Sequence, residues 1–387
     1  MGSIRFLAAV LLCATDLVAQ GAPAANQPVL GPVGTRWRLE SAGMRLRAEV
    51  VAAGISTPSS IAFIPPDRIL VADRRVGVLW LVDLAAGTKD SVRDVPVVHG
   101  SPDGGLLDLV PHPDYARNGW LYFSYSIDGE GGQTTVLDRA RLADGRLVGR
   151  ERLFTARPFV NKSNHFGGRI LFHGGHLFLT LGDRDVRELA QRLDNHHGKI
   201  LRLREDGGVP PDNPFVGKAD TLPEIWSWGH RNPQGLVIHP QTGEIWSNEH
   251  GPRGGDEINV IHVGRNYGWP VITYGREYAG PLVGEGLWRR DGLEQPLHYW
   301  VPSIAPSGMA FYTGDLFPGW RGSLFTGALA LRHLNRVVLR NNRVVLEERL
   351  LDDKNWRVRS LTFGPDGLYV GVDGGQVVRI APEPAPR

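Results

Sequence analysis

Residues 170–183 read ILFHGGHLFLTLGD: an apolar run, a His-Gly-Gly turn, a second apolar run and a closing aspartate. Two β-rich runs joined by so short a polar break predict a hairpin. The same phrase recurs at 61–73 (IAFIPPDRILVAD), 109–125 (LVPHPDYARNGWLYFSY) and 236–249 (LVIHPQTGEIWSNE). It returns at 309–329 (MAFYTGDLFPGWRGSLFTGAL) and 361–373 (LTFGPDGLYVGVD), making six copies in all. Six repeats of one hairpin unit, none able to bury both faces alone, predict radial stacking. The fold class is therefore all-β, a six-bladed β-propeller of four-stranded antiparallel sheets. A β-sandwich with chance similarity among its turns is the competing reading. A propeller gathers its long loops on a top face around a central channel, and the densest polar sequence here lies between the copies.

Composition agrees with a turn-rich β-fold. The chain has 387 residues, 42% of them hydrophobic, with Gly 49 and Pro 28. A formal charge of +2 gives no ground for a nucleic-acid or membrane partner, so any anion site must be local. Residues 1–22 read as an export signal: Arg5, then the apolar stretch FLAAVLLCA, then small residues around Ala19–Ala22. That stretch is too short to span a bilayer. Its Cys13 is the only cysteine, so the mature chain carries no thiol chemistry. Residues 23–44 are an N-terminal extension and 45–383 the propeller domain, placed in the periplasm or the medium.

Four polar clusters carry the candidate chemistry. In NHFGGRILF (164–172), His165 is a base able to take a hydroxyl proton near neutral pH, although a lone histidine is more often structural. In HRNPQGL (230–236), Arg231 offers a fork of donors and Asn232 both donates and accepts. The stretch NEHGPRGGDEINV (248–260) concentrates hard oxygen donors, glycines and a proline. That suits calcium, which accepts backbone carbonyls, and equally suits a solvated turn; it has neither an EF-hand nor a zinc pattern. The pair Arg357 and Arg359 falls on one face of a strand, either as a carboxylate or phosphate clamp or as a solvent-facing pair.

Taken together with GGLLDLVPHPDY (104–115), GRNYGWP (264–270) and APSGMAFY (305–312), these clusters resemble the soluble pyrroloquinoline-quinone (PQQ)-dependent sugar dehydrogenases. The aldose sugar dehydrogenase branch is the nearest, and the resemblance runs from about residue 50 to 381. It implies PQQ and Ca2+ in a top-face cleft, an aldose as substrate and an external electron acceptor, in a monomer or homodimer. By this resemblance His165 is the catalytic base and Asn164 lies beside the substrate. Arg231 and Asn232 are the quinone-binding pair, with Arg231 also catalytic. His250, Tyr278 and Ser303 contact the cofactor, and Arg357 and Arg359 clamp its carboxylates. Gly251 and Pro252 give carbonyls to the cofactor calcium, and Glu257 and Tyr267 serve a second, structural calcium.

Two positions depart from the family. Ala330 stands where relatives have a lysine for the quinone carboxylates, with Arg332 nearby. Asp103 stands where they often have a glutamine near the cofactor, adding a carboxylate beside an anion. Two other functions compete: a calcium-dependent lactonase, with a channel metal held by side-chain Glu, Asn and Asp, and a non-catalytic sugar-binding propeller.

Overall fold

The computed structural model describes residues 27–65 and 67–383. The predicted export signal at 1–22, including Cys13, lies outside the described residues. Six antiparallel sheets form the fold, each built outward from one of the recurring phrases. In the third blade, for example, Ile170–His173 and His176–Leu181 are the two innermost strands, followed by Lys199–Leu203 and Ile225–Trp228. The innermost strand of each blade touches that of the next, and Val358–Gly364 of the sixth touches Pro58–Ile64 of the first, so the ring closes. This is the predicted six-bladed propeller.

Burial follows position in the blade. The second strand Gly367–Val372 is buried throughout and carries no charge, because a neighbouring blade covers each face. The outer strand Arg343–Leu350 (RVVLEERL) is mostly exposed and charged, which keeps an unpaired sheet edge in water. The apolar clusters lie between blades: Leu70, Leu109 and Phe123 join the first and second, and Val71, Val82 and Tyr369 join the sixth and first.

The sixth blade departs from four strands. Met44–Ala53 pairs with Gln376–Pro382, tying the start of the domain to its end, and Arg36–Ser41 adds a fifth strand outside it. Sheet structure thus begins at Arg36, within the segment read as an extension. Trp356 donates its indole N–H to the Val29 carbonyl, 2.7 Å, and anchors that segment. Among the described residues, no helix is long and apolar enough to cross a membrane.

In five blades the pairing of the two innermost strands slips at the top of the first, as between Leu106 and Asp108 and between Val358 and Ser360. Such bulges re-aim side chains and carbonyls at the rim. Arg169 crosses the channel there. Its Nε donates to the Gln234 carbonyl at 2.7 Å and its Nη1 to the Ser59 carbonyl at 2.9 Å, linking the third blade to the fourth and first. Arg169 thereby forms a polar floor beneath the top face.

Candidate active site

His165 sits on the loop entering the third blade, in the left-handed backbone region (φ 54°). Gly167 follows with φ 66°, and a Cβ there would meet the Leu181 and Gly182 backbone at 2.8 Å, so only glycine lets the loop lie this close. The bend turns the His165 ring inward, where Nδ1 lies 2.6 Å from Asp183 Oδ1. Asp183 also accepts the Trp269 indole N–H at Oδ2, 2.7 Å, and the Asp185 amide at Oδ1, 2.8 Å. Burial works against the Asp183 charge, but the His165 bond and Arg231 hold its carboxyl below the usual range. As a carboxylate it can only accept, so Nδ1 carries the proton and Nε2 keeps its lone pair.

Asp183, the closing aspartate of the 170–183 phrase, thus serves both as a turn acceptor toward Asp185 and as the group that orients the imidazole. Two further residues escaped the sequence reading. Arg184 is fully buried, lies 3.4 Å over the Phe166 ring and donates to the Asn164 and Lys162 carbonyls, holding the His165 loop. Trp269, within the GRNYGWP stretch, fixes Asp183 from the other side. The closing aspartates shared by several repeats were the one signal that such acceptors recur at this depth.

Arg231 begins the fourth blade. Its amide donates to Glu249 Oε2 at 2.7 Å, and its guanidinium donates to the Gly251 carbonyl at 2.6 Å while lying 5.2 Å from the Trp269 ring. Its Nε is buried without a partner. The main chain ties Arg231 to the base, since the Asp183 amide donates to its carbonyl, 2.8 Å. Asn232 accepts from the Gly167 amide at 3.3 Å and from Gln234 at 3.0 Å, bracing the His165 loop. His165, Arg231 and the 251–252 turn therefore converge, although they are far apart in sequence.

The turn itself hangs on Asp256, which accepts the Gly251 amide (2.8 Å), the Ser303 hydroxyl (2.9 Å) and the Ala305 amide (2.6 Å). His250 Nε2 donates to the Pro306 carbonyl, 2.7 Å, and burial pushes its pKa down, so the ring is neutral. Beside this turn opens a cleft of about 680 Å³, bordered by His250, Gly251, Pro252, Tyr278, Ser303 and Ala330. Tyr278 is 72% exposed at its rim. Asn164 is exposed on the His165 loop.

Asp103 is answered by an arginine. It accepts the His165 amide at 3.2 Å and lies 3.7 Å from Arg74, whose guanidinium also donates to the Asp103 carbonyl. Against its burial, Arg74 and the His165 amide hold the Asp103 carboxyl below the usual range. Arg332 is directed to Asn355, 3.1 Å.

Arg357 and Arg359, predicted to share a strand face, flank a slip in the pairing between Val358 and Ser360 and are not an empty pair. Both reach Asp373: Arg359 through Nε at 2.5 Å and Nη2 at 2.6 Å, and Arg357 through Nε at 3.3 Å. Arg359 is buried, whereas the Arg357 side chain is 43% exposed, donates through Nη1 to the Leu329 carbonyl and makes no bond at Nη2 among the described residues.

The donor set fits a flat polyanion and calcium. Arg231 and Arg74 each keep a buried, unpartnered Nε, and a flat carboxylated ring system needs such cations at its edge. Gly251 and Pro252 line the cleft, and their carbonyls are hard oxygen donors, the Gly251 oxygen also accepting from Arg231. Behind the turn, Glu249 and Glu257 border a small internal pocket, and burial plus the Glu249 charge pushes the Glu257 carboxyl up to about 8. Two buried carboxyl groups make a seat for a divalent cation, whose charge would favour the ionised form of Glu257. Tyr267 spends its hydroxyl on the Val260 carbonyl and the His262 amide, leaving its main-chain oxygen for such a cation.

Residues 55–379 match the family model described as glucose / sorbosone dehydrogenase. The aldose sugar dehydrogenase YliI of Escherichia coli is 39% identical over 352 residues, covering 89% of this chain and 95% of that protein. A solved glucose dehydrogenase structure superposes with a TM-score of 0.83 at 44% identity, covering 86% of this chain and 98% of the other. The PQQ-bound aldose sugar dehydrogenase of Streptomyces coelicolor superposes with a TM-score of 0.70 at 25% identity, covering 90% and 100%.

Proposed function

This chain belongs to the glucose/sorbosone dehydrogenase family, and from that we propose that it oxidises aldose sugars at the anomeric carbon to lactones. It works with PQQ and calcium in the cleft beside Gly251 and Pro252, and electrons leave to an external acceptor. The reading rests on one observation, the convergence of His165, held by Asp183, with Arg231 and the 251–252 turn. The PQQ-bound Streptomyces relative supports the cofactor.

When bound, PQQ supplies the two-electron acceptor for the sugar's hydride and calcium supplies Lewis-acid polarisation. His165 Nε2 takes the proton from the anomeric hydroxyl, and Asp183 stabilises the imidazolium that forms. Arg231, held behind the cleft turn by its bond to the Gly251 carbonyl, keeps a positive charge there that favours developing negative charge. Asn164 flanks the sugar. Asn232, His250, Tyr278 and Ser303 border or brace the cofactor space, and Arg357 with Arg359 holds its carboxylates, Arg357 Nη2 being the nitrogen left for a ligand. Gly251 and Pro252 would hold the cofactor calcium, and Glu257 with Tyr267 the structural one. Arg74 offsets the Asp103 charge, so that departure need not repel an anionic cofactor. Export to the periplasm or medium belongs to this reading through residues 1–22.

A lactonase would need a channel metal held by side-chain Glu, Asn and Asp from several blades, which leaves no use for the paired Arg357 and Arg359. The decisive experiment supplies the mature protein with PQQ and calcium and follows dye reduction with a panel of aldoses. Turnover with at least one sugar, abolished by His165→Ala while PQQ still binds, is the expected result. A folded protein that reduces no dye with any aldose overturns the reading.

A further inference from the structure

Beside the cleft, the loop between the third and fourth strands of the fourth blade carries a second concavity. It is a groove of about 450 Å³ lined by Tyr274, Arg276, Leu282, Trp288 and Tyr299. The Tyr274 and Tyr299 rings stack at 3.7 Å with 9° between planes, and Trp288 lies 6.1 Å from Tyr274. Trp288 is 58% exposed and Tyr299 44%. Together with Tyr278 at the cleft rim, they are the large aromatics most exposed among the described residues, and all fall between 278 and 299. Leaving such surface in water is unfavourable, and a concentrated exposed patch marks a binding site.

Groove and cleft share a wall. Arg276 borders both, and its side chain makes no hydrogen bond or ion pair among the described residues. A Cβ on Gly275 would meet the Gly254 carbonyl at 2.3 Å and Pro252 Cγ at 2.7 Å, so the groove's backbone is packed directly on the cleft turn. An occupant of the groove therefore continues a ligand seated in the cleft.

We propose that this groove is an accessory subsite for the chain of an oligosaccharide whose reducing-end sugar enters the cleft, an inference that rests on the dehydrogenase reading above. Pyranose rings are apolar on their faces and polar at their edges. Aromatic faces with tyrosine hydroxyls, an indole N–H and a free guanidinium around them match both surfaces at once. Oxidation at the anomeric carbon requires a free reducing end, which leaves the rest of a glycan to run outward from the cleft. A purely apolar partner would leave Arg276 desolvated and unpaired, which is costly.

The test is titration of maltotetraose and cellotetraose into the full chain, followed by calorimetry and tryptophan fluorescence, alongside dye-coupled turnover with PQQ and calcium. At least one tetraose binds, Trp288→Ala and Tyr299→Ala weaken it tenfold or more, and Trp288→Phe retains most of the affinity. Trp288→Ala raises KM for that tetraose but leaves monosaccharide turnover unchanged. Absence of binding by both tetraoses, or equal affinity in the alanine variants, overturns the subsite. So does a Trp288→Ala defect that changes with the electron acceptor and not with sugar length, which would assign the patch to acceptor docking. If no sugar is oxidised yet tetraose binding still depends on Trp288, the dehydrogenase reading fails and the glycan site stands.

Discussion

His165 Nδ1 and Asp183 Oδ1 lie 2.6 Å apart, joining the loop before the third blade to the end of that blade's second strand. The carboxylate's other oxygen is held by Trp269, from the loop that follows the third strand of the fourth blade. The imidazole is therefore fixed in tautomer and direction by two blades at once, which a surface histidine never is.

Asp183→Asn should preserve the fold and PQQ binding but lower kcat roughly 100-fold, because an amide no longer enforces the Nδ1–H tautomer or stabilises the imidazolium. Steady-state kinetics beside a PQQ titration check this. Equal kcat in wild type and variant would remove Asp183 from the positioning role.

The two clamp arginines should separate. Arg359→Met leaves the partly buried Asp373 with only the distant Arg357 Nε as a side-chain partner and should cost about 3 kcal/mol of stability. Arg357→Ala should change stability by less than about 1 kcal/mol, while weakening PQQ roughly tenfold through loss of a charge-assisted contact worth about 1.4 kcal/mol. Denaturant unfolding and PQQ titration read the two effects separately. The opposite pattern would contradict the assignment.

Acid should destabilise the protein through His197, which is buried, 2.6 Å from the Pro158 carbonyl, with its pKa pushed down to about 3 chiefly by burial. The unfolded chain binds this proton more readily, so the stability is complete above about pH 6.5. It falls as the pH drops from there toward 3, by up to about 1.4 kcal/mol per pH unit. Tm measured from pH 7.5 to 4.5 should show this slope added to that of the similarly depressed His250, and His197→Gln should reduce it. An unchanged slope in the variant would exclude His197 as its source.

Calcium should raise Tm and a chelator should reverse the shift, since a cation bound only by the folded state stabilises by about 2.7 kcal/mol at a hundredfold excess over Kd. Glu257→Gln should reduce the shift by removing one carboxylate of the internal pocket. A calcium-dependent shift identical in the variant would place the ion elsewhere.

What the sequence determined by itself was local and periodic. Each apolar-turn-apolar phrase reads as a hairpin, and six of them stacked as a ring bury both faces, so the blades were legible in the sequence. His165, Arg231 and the 251–252 turn were legible as polar clusters rich in glycine and proline, and it was the family resemblance that gave them roles. Partnership was not legible. Trp269 meets Asp183 across 86 residues and Arg74 meets Asp103 across 29, while Asp373 draws in both clamp arginines. Those contacts depend on how far each bulged strand is rotated about the channel, a quantity set by packing between blades and carried by no single stretch of sequence.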